Sequence, residues 1–158
     1  MRTIGLLDKA AKALVSAVFV GALMPAAASA APDRSTGVID EADRIMNDTY
    51  EEFAAEPHRP PFDWSTDGCS VPVAPELIPW NATFRPACVQ HDFGYRNYGG
   101  GGELQLSPTR ETKNWIDGRF REEMGRICRP RLDAPACLSV ANVYYQAVQH
   151  FGGHAFFG

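Results

Sequence analysis

Four cysteines, Cys69, Cys88, Cys128 and Cys137, constrain the fold of this 158-residue chain more than any other sequence feature. An even number of cysteines in a small exported domain predicts disulfide bonds. A zinc site is the rival interpretation, but no Cys-x-x-Cys pair is present and the spacing fits such a site poorly. Of the three possible pairings, we favour Cys69–Cys88 and Cys128–Cys137, because each closes a short loop between adjacent predicted elements.

The N-terminus of the chain supports export. Basic residues stand within positions 1–12, residues 13–24 are apolar, and a stretch of small residues then ends at Ala30. This order is typical of a secretory signal peptide, and the apolar run is shorter than the roughly 20 residues that a membrane-spanning helix needs. We therefore predict a signal peptide at 1–30, cleavage near Ala30, and a secreted domain at 31–158. The alternative is that the same segment forms a buried N-terminal helix.

Charge and composition exclude two classes of protein. The net charge is −4, which gives no basic footprint for nucleic acid, so we expect no nucleic-acid partner. The chain is 45% hydrophobic and 11% aromatic, too rich in apolar residues for a disordered acidic tail. A chain of this length suits one domain with a core of its own.

Apolar periodicity predicts an all-α domain, because apolar residues recur at three- and four-residue steps and no segment alternates convincingly like a strand. The first helix is expected over about 36–53 with Thr36 as its N-cap, within a segment, 31–55, that maturation could also remove. Residues 62–85 read as a loop broken by prolines, and four glycines at 99–102 predict a flexible break. Three further helices are predicted: one over 86–98, one from Ser107-Pro108 to Pro130, and one from near Pro135 to Gly152.

Polar residues on the second and third predicted helices point to acid–base chemistry. His91 and Asp92 are adjacent, so their side chains diverge by about 100° and take different roles, the histidine as a base and the aspartate as a ligand or support. Tyr95 stands on the same helix face as His91. Asp117 lies near an apolar stripe, where a carboxylate needs a bonding partner. If the two helices pack antiparallel, Asp117 can face His91 and hold its tautomer.

The loop ahead of the second helix supplies a candidate cation site. Asp67 and Gly68 precede Cys69, and a bond from Cys69 to Cys88 would bring Asp67 close to Asp92. Two carboxylates, completed by backbone carbonyls and waters, suit a hard cation such as Ca²⁺. Gly68 could turn its carbonyl inward at little steric cost.

These motifs resemble the secreted bacterial and fungal phospholipase A2 family. The resemblance rests on residues 62–69 (FDWSTDGC), 87–98 (ACVQHDFGYRNY) and 113–117 (KNWID) with Phe120, and on a last helix around 144–152. It implies a small helical domain with two antiparallel catalytic helices, cross-linked by two disulfides. It also implies calcium-dependent hydrolysis of the sn-2 ester of glycerophospholipids, which releases a fatty acid and a lysophospholipid.

The resemblance also implies roles for individual residues. His91 corresponds to the general base, Asp117 to its orienting partner, and Tyr95 to a tyrosine that hydrogen-bonds the orienting aspartate. The implied calcium ligands are the carboxylates of Asp67 and Asp92 and the backbone carbonyl of Gly68. Gly68 departs from the larger residue expected there, which predicts a more mobile loop and weaker calcium binding.

Two other functions compete with this interpretation. One is a non-catalytic, calcium-stabilised module that binds lipid or protein, in which His91 and Asp117 are a satisfied buried pair. The other is a metal phosphohydrolase that uses His58, His91, Asp92 and Asp117 on a transition metal, although such enzymes are mostly cytoplasmic.

An apolar segment is a candidate for contact with the substrate surface. Leu77, Ile78 and Trp80 lie in a stretch with few charges, and tryptophan is favoured at a lipid interface. The alternative is that Trp80 fills the core. We expect a monomer whose substrate is presented as a phospholipid membrane surface or micelle.

Overall fold

The computed structural model describes residues 34–69 and 78–158, and Pro32–Gly158 form one compact unit. The predicted signal peptide and cleavage site lie outside the described residues. Within those two ranges the chain is all-helical, as predicted, and no helix there is long and apolar enough to cross a membrane. The helices are α1 Arg34–Asn47, α2 Tyr50–Ala55, α3 Ile78–Tyr98, α4 Arg110–Cys128, α5 Ala134–Phe151 and α6 Gly153–Phe157.

The predicted first helix is two helices. The chain breaks after Asn47, and Thr49 caps α2: its hydroxyl accepts from the Glu52 N–H, and its own N–H donates to the Glu52 carboxylate at 2.9 Å. Such a reciprocal capping box starts a helix strongly, so it ends the continuity that periodicity alone suggested. The short α2 buries Phe53 against the core.

Helix α3 begins earlier than the sequence predicted. It starts at Ile78 rather than near Pro86, which lies inside the helix, so residues 78–85 are helical and not loop. Proline removes one backbone donor from a helix interior. Packing favours the extra turns, because the Trp80 ring stacks on Phe84 with centroids 5.9 Å apart, and Phe84 meets Tyr144 of α5 at 5.2 Å.

Helices α3 and α4 run antiparallel at the centre of the domain, as predicted. Tyr98, at the end of α3, packs on Trp115 near the start of α4 with centroids 5.6 Å apart. His91, which precedes Tyr98 on α3, packs on Phe120, which follows Trp115 on α4, with ring centroids 4.7 Å apart. The order of the contacts is therefore reversed between the two helices. Helix α4 starts two residues later than predicted, because Thr109 rather than Ser107 accepts the first-turn N–H bond.

Both predicted disulfides are present. Cys69–Cys88 ties the loop before α3 to that helix, and Cys128–Cys137 joins the end of α4 to the start of α5. Three of these four cysteines also belong to a core cluster in which α3, α4 and α5 meet. The pairings therefore fix both the loop ahead of His91 and the packing of the last long helix.

The glycine tract at 99–102 is closely packed rather than an open link. The Gly100 N–H donates to the Phe156 carbonyl at 2.7 Å, and a Cβ on Gly100 would lie 2.7 Å from the Phe157 carbonyl oxygen. Both carbonyls belong to α6, a helix that the sequence did not predict beyond Gly152. Phe156 is fully buried and packs on Tyr95 with ring centroids 5.1 Å apart. The absent side chains let α6 lie directly against the end of α3.

Candidate active site

The central pair of the site joins the two antiparallel helices. His91 Nε2, on α3, lies 2.9 Å from Asp117 Oδ1, on α4. His91 is 7% exposed and Asp117 is fully buried. The sequence therefore placed these two residues together correctly, and their catalytic roles stay predictions.

Asp117 accepts hydrogen bonds from four side chains. Its Oδ1 takes the Tyr95 hydroxyl at 2.8 Å besides His91, and its Oδ2 takes Lys113 Nζ at 2.7 Å and Gln149 Nε2 at 2.6 Å. Burial raises the pKa of the Asp117 carboxyl, but the hydrogen bonds and charges of His91 and Lys113 outweigh it and hold the pKa below its ordinary value. Asp117 is therefore an anion at neutral pH.

The ionised Asp117 carboxylate determines which ring nitrogen of neutral His91 carries the proton. A carboxylate can only accept, so the proton of neutral His91 sits on Nε2 and is donated to Asp117. The other ring nitrogen, Nδ1, then keeps its lone pair. Burial and the neighbouring Asp117 raise the pKa of the Tyr95 hydroxyl, which therefore stays protonated and donates to the same carboxylate. The arrangement leaves one unprotonated ring nitrogen on a residue that lines an open pocket.

The loop before α3 is held against Asp92. The carboxylate oxygen Oδ2 of Asp92 accepts the Thr66 hydroxyl at 2.5 Å and the Gly68 N–H at 3.1 Å. Gly68 has φ of 73°, in the left-handed region where any Cβ is strained. Its glycine identity therefore has a conformational reason. These bonds and the Cys69–Cys88 disulfide hold the loop in place.

The carboxylates of Asp67 and Asp92 are electrostatic neighbours. Burial raises the pKa of Asp92, the bond from Thr66 opposes this, and the negative charge of Asp67 raises the pKa further. Asp67 also lies 3.6 Å from the guanidinium of Arg96, measured from Oδ1 to Nη2. A cation between the two carboxylates would relieve their repulsion, so the donor set suits Ca²⁺ in charge and ligand type. No group of three or more His, Cys, Asp or Glu in residues 34–69 and 78–158 could hold a metal, so backbone carbonyls and waters would complete the shell.

These groups line one pocket of about 470 Å³. The pocket brings together the predicted site residues His91, Asp92, Tyr95, Asp67 and Gly68, with Asp117 buried behind the histidine. Its apolar wall comes from α4, α5 and the start of α6. A cavity of this size with a few convergent polar groups is typical of a small-molecule site.

Of the predicted interface residues, Trp80 does not line this pocket. Trp80 is half-buried and packs against the core cluster of α3, α4 and α5, with Arg131 Cζ 5.6 Å from its ring centroid. Leu77 and the side chain of Ile78 lie outside what the structure describes. His58, which the phosphohydrolase interpretation needs, stacks on Trp64 with centroids 4.5 Å apart, away from the pocket lining.

Two residues that contact the central pair were not predicted from the sequence. Lys113 and Gln149 both bond Asp117, from one turn earlier on α4 and from the end of α5. A signal for Lys113 was present, because it is the only lysine after Lys12 and stands four residues before Asp117, on the same helix face. Gln149 had no local signal, since only the packing of α5 brings it to the site.

The fold and the site together define a class: small all-α proteins, cross-linked by two disulfides, whose central helices hold a buried His–Asp pair beside an open pocket. A sequence model of the prokaryotic phospholipase A2 family matches residues 43–152 of this chain. The chain therefore belongs to the prokaryotic phospholipase A2 family, as its motifs indicated.

Two curated fungal proteins are similar to the chain. A "Secretory phospholipase A2" of Beauveria bassiana (strain ARSEF 2860) is 34% identical over 107 residues, which cover 68% of this chain and 53% of that protein. A "Secretory phospholipase A2" of Arthroderma benhamiae is 30% identical over 95 residues, covering 57% of this chain and 60% of that protein. The chain thus matches little more than half the length of these relatives.

Proposed function

We propose that this chain is a secreted, calcium-dependent phospholipase A2 that hydrolyses the sn-2 ester of glycerophospholipids. The observation that carries the proposal is the 2.9 Å contact from His91 Nε2 to the buried Asp117, which leaves Nδ1 of the ring as a base beside the pocket. Family membership and the names of the fungal relatives support the same activity. The predicted cleavage near Ala30 and the relatives' description as secretory support export.

His91 is the general base of the proposed reaction. Its Nδ1 takes a proton from a water molecule, and the resulting hydroxide attacks the sn-2 carbonyl carbon. The imidazolium that forms is stabilised by the Asp117 carboxylate, which neither moves nor takes the proton. His91 then returns the proton to the departing glycerol oxygen, so that a fatty acid and a lysophospholipid leave and the base is restored.

The loop before α3 and Asp92 are the proposed binding site for the cation that activates the ester carbonyl. Ca²⁺ held by Asp67, Asp92 and the Gly68 carbonyl would polarise the ester carbonyl and neutralise the substrate phosphate. The hydrogen bonds from Thr66 and Gly68 keep the Asp92 carboxylate oriented. Glycine at position 68 is compatible with this role. The hydrogen bonds from Thr66 and Gly68 to Asp92 and the Cys69–Cys88 disulfide fix the loop, and none of them needs a side chain at position 68.

Contact with a lipid surface is assigned to the pocket mouth. Phe151, at the end of α5, lines the pocket and is 67% exposed. An exposed aromatic ring at the mouth of a lipid-binding pocket can enter the headgroup region of a bilayer. Trp80 packs against the core, which favours the structural alternative for that residue. We expect the protein to act as a monomer on a membrane surface or micelle.

The activity is tested with purified protein and phosphatidylcholine vesicles carrying different acyl chains at sn-1 and sn-2. Mass spectrometry of the products should show release of the sn-2 acid and the matching lysophospholipid, with Ca²⁺ present and not after chelation. His91→Gln should lower kcat by at least 10²-fold, the usual contribution of a general base. Calcium affinity should stay close to wild type, since His91 is not a ligand.

Each competing function predicts a different result. A non-catalytic module would bind calcium without releasing either acid, and His91→Gln would only change its melting temperature. A phosphohydrolase would lose metal binding on His91→Gln. Release of the sn-1 acid would refute the assigned sn-2 specificity, and turnover that survives the His91→Gln change in a folded protein would refute the proposed mechanism.

A further inference from the structure

Lys113 is a buried ammonium group next to the His91–Asp117 pair. It is 4% exposed, and its Nζ donates to Asp117 Oδ2 at 2.7 Å and to the Val148 carbonyl at 2.9 Å. The same Nζ lies 5.7 Å from the centroid of the Tyr95 ring. A lysine is rarely buried unless it is paired, and here it is paired with the carboxylate that also holds His91.

Gln149 reaches the same oxygen from another helix. Its Nε2 donates to Asp117 Oδ2 at 2.6 Å, and it stands one residue after Val148, in the last turn of α5. The two oxygens of Asp117 therefore have separate partners. Oδ1 serves His91 and Tyr95, whereas Oδ2 is occupied by Lys113 and Gln149.

We propose that Lys113 and Gln149 are positioning residues for ester hydrolysis, which act through Asp117 to fix the orientation of His91. The inference rests on the proposed function, because it assumes that His91 is the base. A carboxylate held at both oxygens cannot rotate about its Cβ–Cγ bond without breaking charge-assisted hydrogen bonds. The imidazole that donates to Oδ1 is thereby held with its Nδ1 toward the pocket.

Charge supports the same assignment. Asp117 and Lys113 neutralise each other, so the buried set carries no net charge while His91 is neutral. Oδ2 would otherwise be a buried lone-pair site with no donor, which is costly inside a protein. The Val148 carbonyl, at the negative end of α5, is a further favourable partner for the Lys113 ammonium. Helix α5 thus supplies a donor to Asp117, from Gln149, and an acceptor to Lys113, from Val148.

The test compares two identical substitutions on α5. Gln149→Met removes the bond to Asp117, and Gln146→Met is the matched control, because Gln146 is exposed on the same helix. Gln149→Met should lower kcat about ten-fold with KM within about two-fold, the effect of one hydrogen bond to a charged group. The control should keep wild-type kcat. The proton resonance of His91 Nε2–H should shift in Gln149→Met and not in the control.

Coupling to Asp117 separates positioning from a general packing effect. In an Asp117→Asn background, Gln149→Met should cause little further loss of kcat, since residues that act as a unit are not additive. Lys113→Met should also lower kcat by about ten-fold or more in folded protein, with calcium affinity unchanged. Wild-type kcat in folded Gln149→Met, or fully additive losses in the double variant, would overturn the inference. A wild-type protein that does not hydrolyse phospholipid would instead overturn the proposed function, and full turnover by His91→Gln would overturn the assignment of His91 as the base.

Discussion

Replacing Asp117 by asparagine should separate its contribution to stability from its contribution to catalysis. The substitution keeps the shape of the side chain but removes a charge from a fully buried position, 2.7 Å from the Lys113 ammonium. Removing one member of a buried ion pair costs about 3–5 kcal/mol, because the other charge is left buried without compensation. Lys113 keeps the Val148 carbonyl and an amide oxygen as acceptors, so we expect the lower end, about 3 kcal/mol.

The double variant Asp117→Asn with Lys113→Met tests the origin of that loss. It removes both charges, and replacing a whole buried pair by groups of similar volume is often neutral for stability. We therefore expect the double variant to regain most of the lost free energy of unfolding. Turnover should stay low in both variants, since neither supplies a carboxylate to stabilise the imidazolium of His91.

The measurement is urea unfolding at neutral pH with the disulfides intact, followed by circular dichroism, together with hydrolysis of phospholipid vesicles. A loss of about 3 kcal/mol corresponds to a fall in melting temperature of roughly 10 °C for a domain of this size. If Asp117→Asn alone is as stable as the wild type, the buried ion pair does not have the energetic role argued from its burial. If the double variant regains full turnover, Asp117 is structural and not part of the reaction.

Three further predictions concern calcium, lipid contact and acid. Asp92→Asn should weaken calcium binding in isothermal titration and remove most turnover; an unchanged calcium affinity would move the site elsewhere. Phe151→Ser should lower activity on vesicles more than on dispersed short-chain substrate. Trp80→Ala should lower the melting temperature and reduce the activity on both substrates equally. The reverse pattern would assign the lipid contact to Trp80. Because the folded pKa of Asp117 lies below its ordinary value of 3.8, its ionisation stabilises the fold above about pH 4 and this contribution is lost as the pH falls further. Between pH 7 and pH 3 the wild type should therefore lose more unfolding free energy than the Asp117→Asn, Lys113→Met double variant, and equal losses would contradict the assignment.

The central helices and their cross-links could be predicted because their signals are local. The apolar stripe of α4 and the run around His91 and Asp92 each lie within one helix. The short loops closed by the disulfides limited the pairings in the same way. Antiparallel packing of two adjacent helices then brings Asp117 to His91 with few alternatives.

Helix boundaries were predicted less well, because tertiary contacts and capping override periodicity. Apolar spacing continues through Thr49, yet its reciprocal bonds with Glu52 end one helix and begin another. Prolines made residues 78–85 read as loop, but Trp80 and Phe84 are packed as helix against α5. In both places the decisive interactions lie outside the pattern that was read.

Of the four side chains that hydrogen-bond the Asp117 carboxylate, only some could be predicted from the sequence. Tyr95 and Lys113 lie one helical turn from His91 and Asp117, so helical geometry alone puts them near the pair. Gln149 lies 32 residues from Asp117 along the chain. Only the docking of α5 gives that residue its place, and no local pattern reports it.

In a saturation-mutagenesis library the glycine tract would not behave as a spacer. A Cβ at Gly102 would overlap the Arg96 carbonyl oxygen, and a Cβ at Gly99 would overlap the Phe156 carbonyl oxygen. At Gly101 the nearest atom would be 3.7 Å away, an ordinary contact. Positions 99, 100 and 102 should therefore accept only glycine, whereas position 101 should also accept alanine and serine. A stretch that its composition marks as a replaceable spacer thus tolerates few substitutions, and an engineered change of loop length should be made in another loop.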